Sequence, residues 1–487
     1  MLSLIISLCA LVLGYLLYGR LAERIFGPDP SLPTPAVSKA DGIDYIRMPS
    51  WKVFMIQFLN IAGTGPIFGA IMGAKFGPSA YLWIVFGCIF AGAVHDYFSG
   101  MLSVRNGGAG LPEIIGRYLG KGAKSVMLVF TVVLLILVGA VFVYSPAIIL
   151  GNMTGGTTTA MLIWAGVIFV YYLIATFMPI DKIIGKIYPL FAFSLLFMAV
   201  ALFIGLLVKW PSLPELWEGL GNRGPSVGVN GQPIFPCLFI TIACGAISGF
   251  HATQSPLMAR CIENERLGRP IFYGSMITEG IVALIWAAIS SYFFFAGGAE
   301  EVGAQLNASA PTVVTTVSKS WLGVLGGILA LLGVVAAPIT SGDTALRSAR
   351  LIVADAFKVD QKGIGGRLAI CLPIFLLTGL LLWFNIADEN GFNTIWRYFG
   401  WANQTLSVFT LWAITVFLTL YRKGVSFLIS LVPACFMTAT CLTYICIDKI
   451  GFHLPVSTIP YLAVGTVLVC LVLFFLWRRR ALRTERP

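Results

Sequence analysis

Two of the three histidines and three carboxylates sit where so apolar a sequence has least reason to keep them. His95 and Asp96 are neighbours inside the apolar stretch 79–104, His251 lies within 235–259, Glu279 within 270–297 and Asp343 within 322–346. An ionisable side chain inside a membrane-spanning stretch costs about 2.5–3.5 kcal/mol on insertion scales, so each is kept for a partner or a task. A histidine beside a carboxylate can relay a proton, since both titrate within reach of physiological pH when partly buried. His95 and Asp96 equally suit a structural bond between helices. His251 sits in a polar run with Ser248, Gly249, Thr253, Gln254 and Ser255 ahead of Pro256, and Asn60-Ile-Ala-Gly-Thr-Gly-Pro66 offers Asn60 and the amides of Gly63, Thr64 and Gly65. Amides freed at such places, Gly249 included, can hold a carboxylate with the help of half-helix dipoles. These residues are the candidate solute contacts.

Asp343 has Arg347 four residues on and Arg350 on the same face, so a helical ion pair is natural, either as a cytoplasmic-end lock or as a gate. Thr340 and Ser341 carry hydroxyl oxygens that can ligate Na⁺ together with freed carbonyls. His95, Asp96, Glu279, Thr340, Ser341 and Asp343 are therefore the candidate coupling residues, and both H⁺ and Na⁺ stay open as the coupling ion. Asn403 and Gln404 read as helix–helix glue, and His453 as an outer-loop residue without special role. The ten cysteines lie mostly in apolar runs with no CxxC and no metal-ligand spacing, so they read as small packing residues. Apart from Na⁺, no metal and no cofactor is expected.

What positions these residues is a membrane. The 487 residues are 58% hydrophobic and 11% charged, with mean hydropathy +0.89, too few charges to cover a soluble surface. Continuous apolar runs long enough to cross the hydrocarbon core predict an all-α polytopic protein of about thirteen spans, not a barrel. The predicted spans are 2–19, 51–73, 79–104, 123–150, 159–180, 187–209, 235–259, 270–297, 322–346, 368–386, 397–420, 425–447 and 459–477. The first lacks a basic start and a small-residue cleavage site, so it reads as a retained span rather than a signal peptide. With the N-terminus outside and the tail inside, the cytoplasmic loops 20–52, 105–124, 181–186, 260–269, 347–367, 422–423 and 478–487 hold 26 of the 32 Lys and Arg. That asymmetry is the positive-inside pattern, and it accounts for the net charge of +11 without nucleic acid.

Gly beside Pro at mid-depth, in 60–66 and again in 245–256, breaks the helical ladder, which is tolerable only where protein or a wet cavity satisfies the freed groups. Five spans run from each break, and an odd number makes the second set enter from the opposite face. The expectation is a 5+5 inverted repeat led by two broken helices. The organisation is then an extra span and cytoplasmic loop (1–50), a first repeat (51–209), an extracytoplasmic loop (210–234), a second repeat (235–421), and two further spans with a basic tail (422–487).

Several motifs carry a resemblance to a known family. Ala62 to Pro66, Phe90 to Asp96, Ile242 to His251, Thr340 to Arg350 and Phe399 to Gln404, with the loop segments Thr34 to Val37 and Asp41 to Tyr45, resemble the carbon starvation protein A (CstA) family in the same order along the chain. The resemblance implies a carrier of the bacterial plasma membrane that takes up peptides or pyruvate when carbon is scarce, driven by protons. It also implies kinship with amino-acid/polyamine/organocation carriers, whose inverted five-helix repeats match the span count. Ala252-Thr-Gln-Ser-Pro256 departs from the Ser/Gly/Thr-rich stretch of the longer members, and this departure falls at the second break.

The residues point the same way. A membrane-embedded enzyme needs a nucleophile with its base or clustered metal ligands, and there is no HExxH and no GxSxG. A receptor would carry a soluble signalling domain, for which the non-span stretches 20–50 and 210–234 are too short. A channel calls for a continuous pore where a repeat with two breaks calls for alternating access. The expected function is symport of a small carboxylate-bearing nutrient, with Na⁺-coupled amino-acid or peptide symport as the alternative and the lipid bilayer as the surroundings.

Overall fold

The computed structural model describes residues 1–484 apart from 43, 178–179, 225–228, 230, 362, 389–390 and 423, and its regular structure there is helical throughout. The helices that matter are α1 (Leu2–Phe26), the pair α2 (Ser50–Ile61) and α3 (Gly65–Ala74), α4 (Ser79–Arg105), α5 (Leu111–Leu119), α6 (Lys121–Met153), α7 (Thr158–Phe177) and α8 (Ile180–Lys209). After the connection come the pair α9 (Ile234–Thr241) and α10 (Gly249–Ala259), then α11 (Gly274–Phe295), α12 (Ala310–Phe357), α13 (Ile364–Ala387), α14 (Gly391–Tyr421), α15 (Leu428–Ile447) and α16 (Ile459–Thr484).

Ten helices among the described residues are long and apolar enough to cross a membrane, or eleven if the bent pair α2–α3 counts as one, against the thirteen expected. The other two expected spans are less regular. The stretch 235–259 is split into helices of eight and eleven residues, and 322–346 lies in α12, which leaves helical geometry at Gly323 (φ 64°, ψ −169°). Several boundaries also move. α1 runs on to Phe26, where Gly27 in the left-handed region (φ 65°) closes it by returning its amide to the Glu23 carbonyl. α8 begins at Ile180, so the expected loop 181–186 is helical, and α12 continues through Arg347 and Arg350 to Phe357. Those two arginines, expected in a loop, are buried.

The two breaks have different causes. Between α2 and α3 the axis turns by 52°, and Pro66, with no amide hydrogen to give the ladder, stands at the start of a wide-turn segment over Gly65–Gly69. The second break lies at 242–248, upstream of Pro256, which is inside α10. The unwound chain there is held by a side chain from elsewhere: Asn403 of α14 accepts from Ser248 Oγ (3.0 Å) and from the Phe250 amide (2.7 Å), groups that an unbroken helix would have paired within itself. The breaks touch each other. A Cβ on Gly65 would overlap the Cys244 side chain, and one on Gly245 would come within 3.7 Å of Pro66 Cα.

Around this centre the helices pair off in matched fashion. α3 packs on α11 as α10 packs on α4; α8 packs on α12 as α14 packs on α6; α7 packs on α12 as α13 packs on α6; and α6 and α12 pack along each other. α1 lies against α4 and α11, while α15 covers α9 and α14. α16 leans on α15 and is largely exposed, where α4 and α11 are mostly buried. The ionisable residues singled out above sit on the well-buried elements.

Candidate functional site

α4 brings His95 and Asp96 to the centre directly after its wide-turn segment Gly87–Gly92. α10 presents His251 from its first turn, so that residue belongs to the helix after the break and not to the unwound chain. α11 supplies Glu279. Asp96 accepts from two imidazoles at once: His95 Nδ1 lies 2.7 Å from Oδ1 and His251 Nδ1 lies 2.8 Å from Oδ2. On its other edge His251 Nε2 stands 3.5 Å from Glu279 Oε2, an ion-pair distance without a hydrogen bond. All four side chains have 0% exposure. The line His95–Asp96–His251–Glu279 thus runs from α4 through α10 to α11, sealed from both faces of the membrane.

With Asp96 ionised its oxygens can only accept, so each Nδ1 carries a hydrogen, and the ring edges left over are His95 Nε2 and His251 Nε2. Neither of these has a hydrogen-bond partner, nor does either Glu279 oxygen. Groups this deeply buried and unpaired are held by a fold that has a use for them.

A second polar centre lies where α12 meets the first break. Ser341 Oγ donates to the Leu59 carbonyl in the last turn of α2 (3.0 Å). The Thr340 hydroxyl returns to its own helix, at Ala336 O (3.0 Å) and Ala337 O (2.9 Å). Asp343 and Arg347 lie one turn apart and act on each other as opposite charges, and each has a further partner. Tyr188 of α8 donates to Asp343 Oδ2 (2.7 Å), while Arg347 Nη2 reaches across to the Ala175 carbonyl of α7 (2.6 Å). Arg350 Nη1 bonds Gln361 Oε1 (2.9 Å).

The candidate solute contacts divide into open and occupied groups. Both polar atoms of Asn60, the Thr64 hydroxyl and Gln254 Oε1 are buried without a partner. Ser255 Oγ donates to the His251 carbonyl (3.0 Å), and Gln57 Nε2 reaches that hydroxyl at 3.5 Å. Gly63 and Gly65 are buried with Thr64 at the first break. Gly249 is closed off: a Cβ there would overlap the Asn403 carbonyl and the Ser407 amide, and the next amide already bonds Asn403. Of these open groups, Asn60 and Thr64 stand at the first break and Gln254 in α10, while Asn403 of α14 satisfies Ser248 and the Phe250 amide at the second.

Sequence reasoning passed over four contributors. Gln57 and Tyr188 looked like ordinary helix residues. Asn403 read as generic glue although it caps the second break, and Cys244 read as a small hydrophobe although its thiol faces His251 and Glu279.

Comparison with known proteins agrees with this architecture. The sequence profile described as "Carbon starvation protein CstA" matches residues 1–164, 157–326 and 296–444. An uncharacterized membrane protein of Haemophilus influenzae is 47% identical over 329 residues, covering 58% of this chain and 89% of its own. The peptide transporter CstA of Escherichia coli is 27% identical, covering 90% of this chain and 79% of its own. The pyruvate/proton symporter BtsT of the same organism is 29% identical over 56% of this chain and 46% of its own. Among solved structures, a manganese transporter of Eremococcus coleocola superposes with a TM-score of 0.57 at 12% identity, over 91% of this chain and 99% of its own, a likeness of fold alone.

Proposed function

The chain belongs to the carbon starvation protein CstA family and is a multi-pass membrane transporter, not an enzyme; from that premise we propose that it imports a small carboxylate-bearing nutrient, a peptide or pyruvate, together with protons. The observation that carries the proposal is the sealed line His95–Asp96–His251–Glu279, contributed by helices from both halves of the chain. A proton moved along it changes the bonds that join α4, α10 and α11, so protonation and helix arrangement are coupled. The unpaired polar atoms of Asn60 and Thr64 at the first break, with Gln254 Oε1 on α10, supply the solute's contacts. The halves 51–209 and 235–421 act as repeats that rock against each other, a reading supported by the matched packing. The chain sits in the bacterial inner membrane with its N-terminus outside and its arginine-rich tail in the cytoplasm, as the lysine and arginine asymmetry supports.

Sodium coupling is the second reading, favoured by Ser341 against the Leu59 carbonyl at the first break. Uptake of labelled pyruvate and of di- and tripeptides into proteoliposomes, with and without Na⁺, tests both readings. Accumulation is expected to need no Na⁺, to collapse with an uncoupler, and to fall at least tenfold in His251→Ala. Accumulation undiminished by the uncoupler and by the substitution would remove proton coupling through His251.

A further inference from the structure

Cys244, His251 and Glu279 bring a thiol sulfur, an imidazole nitrogen and a carboxylate oxygen within 4.8 Å of one another, and all three residues are buried. Bonds of about 2.0–2.3 Å to a shared ion span such a set after small side-chain rotations. Two further observations point to a ligand. His251 Nε2 and both Glu279 oxygens have no hydrogen-bond partner, although each is fully enclosed. The groups behind them are also placed as outer-shell supports: Asp96 Oδ2 takes the Nδ1 hydrogen of His251 at 2.8 Å and turns Nε2 towards Glu279, and Asn403 Nδ2 points at Cys244 Sγ from 3.6 Å. A carboxylate behind a ligating histidine fixes its tautomer and orientation.

We propose that Cys244, His251 and Glu279 form a site for one divalent transition-metal ion of the zinc and cobalt class, with a fourth position left open. Sulfur and imidazole donors select such ions over magnesium or calcium, which want oxygen. The ion enters while the helices are parted and the site is wet; the thiol then gives up its proton to water and a metal–sulfur bond forms. Thiolate and carboxylate offset the ion's double charge. Cys244 lies in the unwound stretch, His251 in α10 and Glu279 in α11, so the ion ties three separate elements together. Occupancy locks the closed arrangement and arrests transport. The site goes beyond the transport reading and does not rest on it.

Titration of the full-length, detergent-purified chain with Co²⁺ tests the site. One equivalent is expected to bind with a thiolate-to-metal absorbance in the near ultraviolet. The band should vanish in Cys244→Ser, persist in Cys261→Ser, and need at least about tenfold more Co²⁺ in Glu279→Gln. X-ray absorption of the Co²⁺-loaded wild-type chain, which needs no variant to fold, is expected to find one sulfur in the metal's shell. A shell of oxygen and nitrogen only, or a band unchanged in Cys244→Ser, overturns the proposal. Loss of the transport reading in the uptake assay leaves these spectra unmoved, so the two failures are distinguishable.

Discussion

Asp96 is the pivot of the site because each of its oxygens holds one imidazole, so replacing it disturbs both histidines together. Asp96→Asn is expected to cut gradient-driven accumulation at least tenfold while counterflow exchange of labelled solute persists; equal loss of both would make the residue merely structural. Asn403 works through backbone. Asn403→Ala leaves the Phe250 amide and the Ser248 hydroxyl buried without an acceptor, at about 1–3 kcal/mol for each group, so a lowered Tm of the detergent-purified protein is expected. At this scale the sequence disclosed which residues are ionisable and misplaced, because charge in an apolar run is conspicuous. It could not disclose that His95, His251 and Glu279 meet, since they stand on three helices. Cys244 stayed hidden because a thiol in an apolar run looks like any small packing residue, and the reach of Arg347 to the Ala175 carbonyl could not be read from helical spacing.

Among elements, the two broken helices differ in how plainly a sequence announces them. Pro66 stands at the first break and marks it; Pro256 stands past the second, which falls at 242–248 around Gly245 and is capped by Asn403 of α14. The glycines at the crossing are there for closeness. Gly65→Ala would push a methyl group into the Cys244 side chain, an overpacking worth about 1–3 kcal/mol. A fall in Tm is expected there, with none for Gly166→Ala in α7, whose Cβ would meet nothing within 4 Å. Equal melting of the two variants would mean that the breaks do not press on each other. The break expected within 235–259 falls at 242–248, and the expected span 322–346 bends near its start at Gly323; hydropathy registers how apolar a stretch is and not where its backbone leaves the helix.

For the whole molecule, lysine and arginine placement was the most informative long-range signal, since 26 of 32 fall on one side of the expected topology. A fluorescent protein that matures only in the cytoplasm, fused after the C-terminus, is expected to glow, and alkaline phosphatase fused there to stay inactive; the opposite pattern would invert the topology. The pairing of α3 with α11 and of α10 with α4 was legible only as a count of spans, because sequence gives the order of helices and not their neighbours. The central line of ionisable groups has no exposed atom to offer solvent. While that arrangement lasts nothing can be exchanged with either compartment, so the pace of each cycle is set by how often packed helices part and let water in. Turnover should therefore quicken with warming as steeply as a barrier to repacking demands, well beyond the gentle rise of a process paced by diffusion.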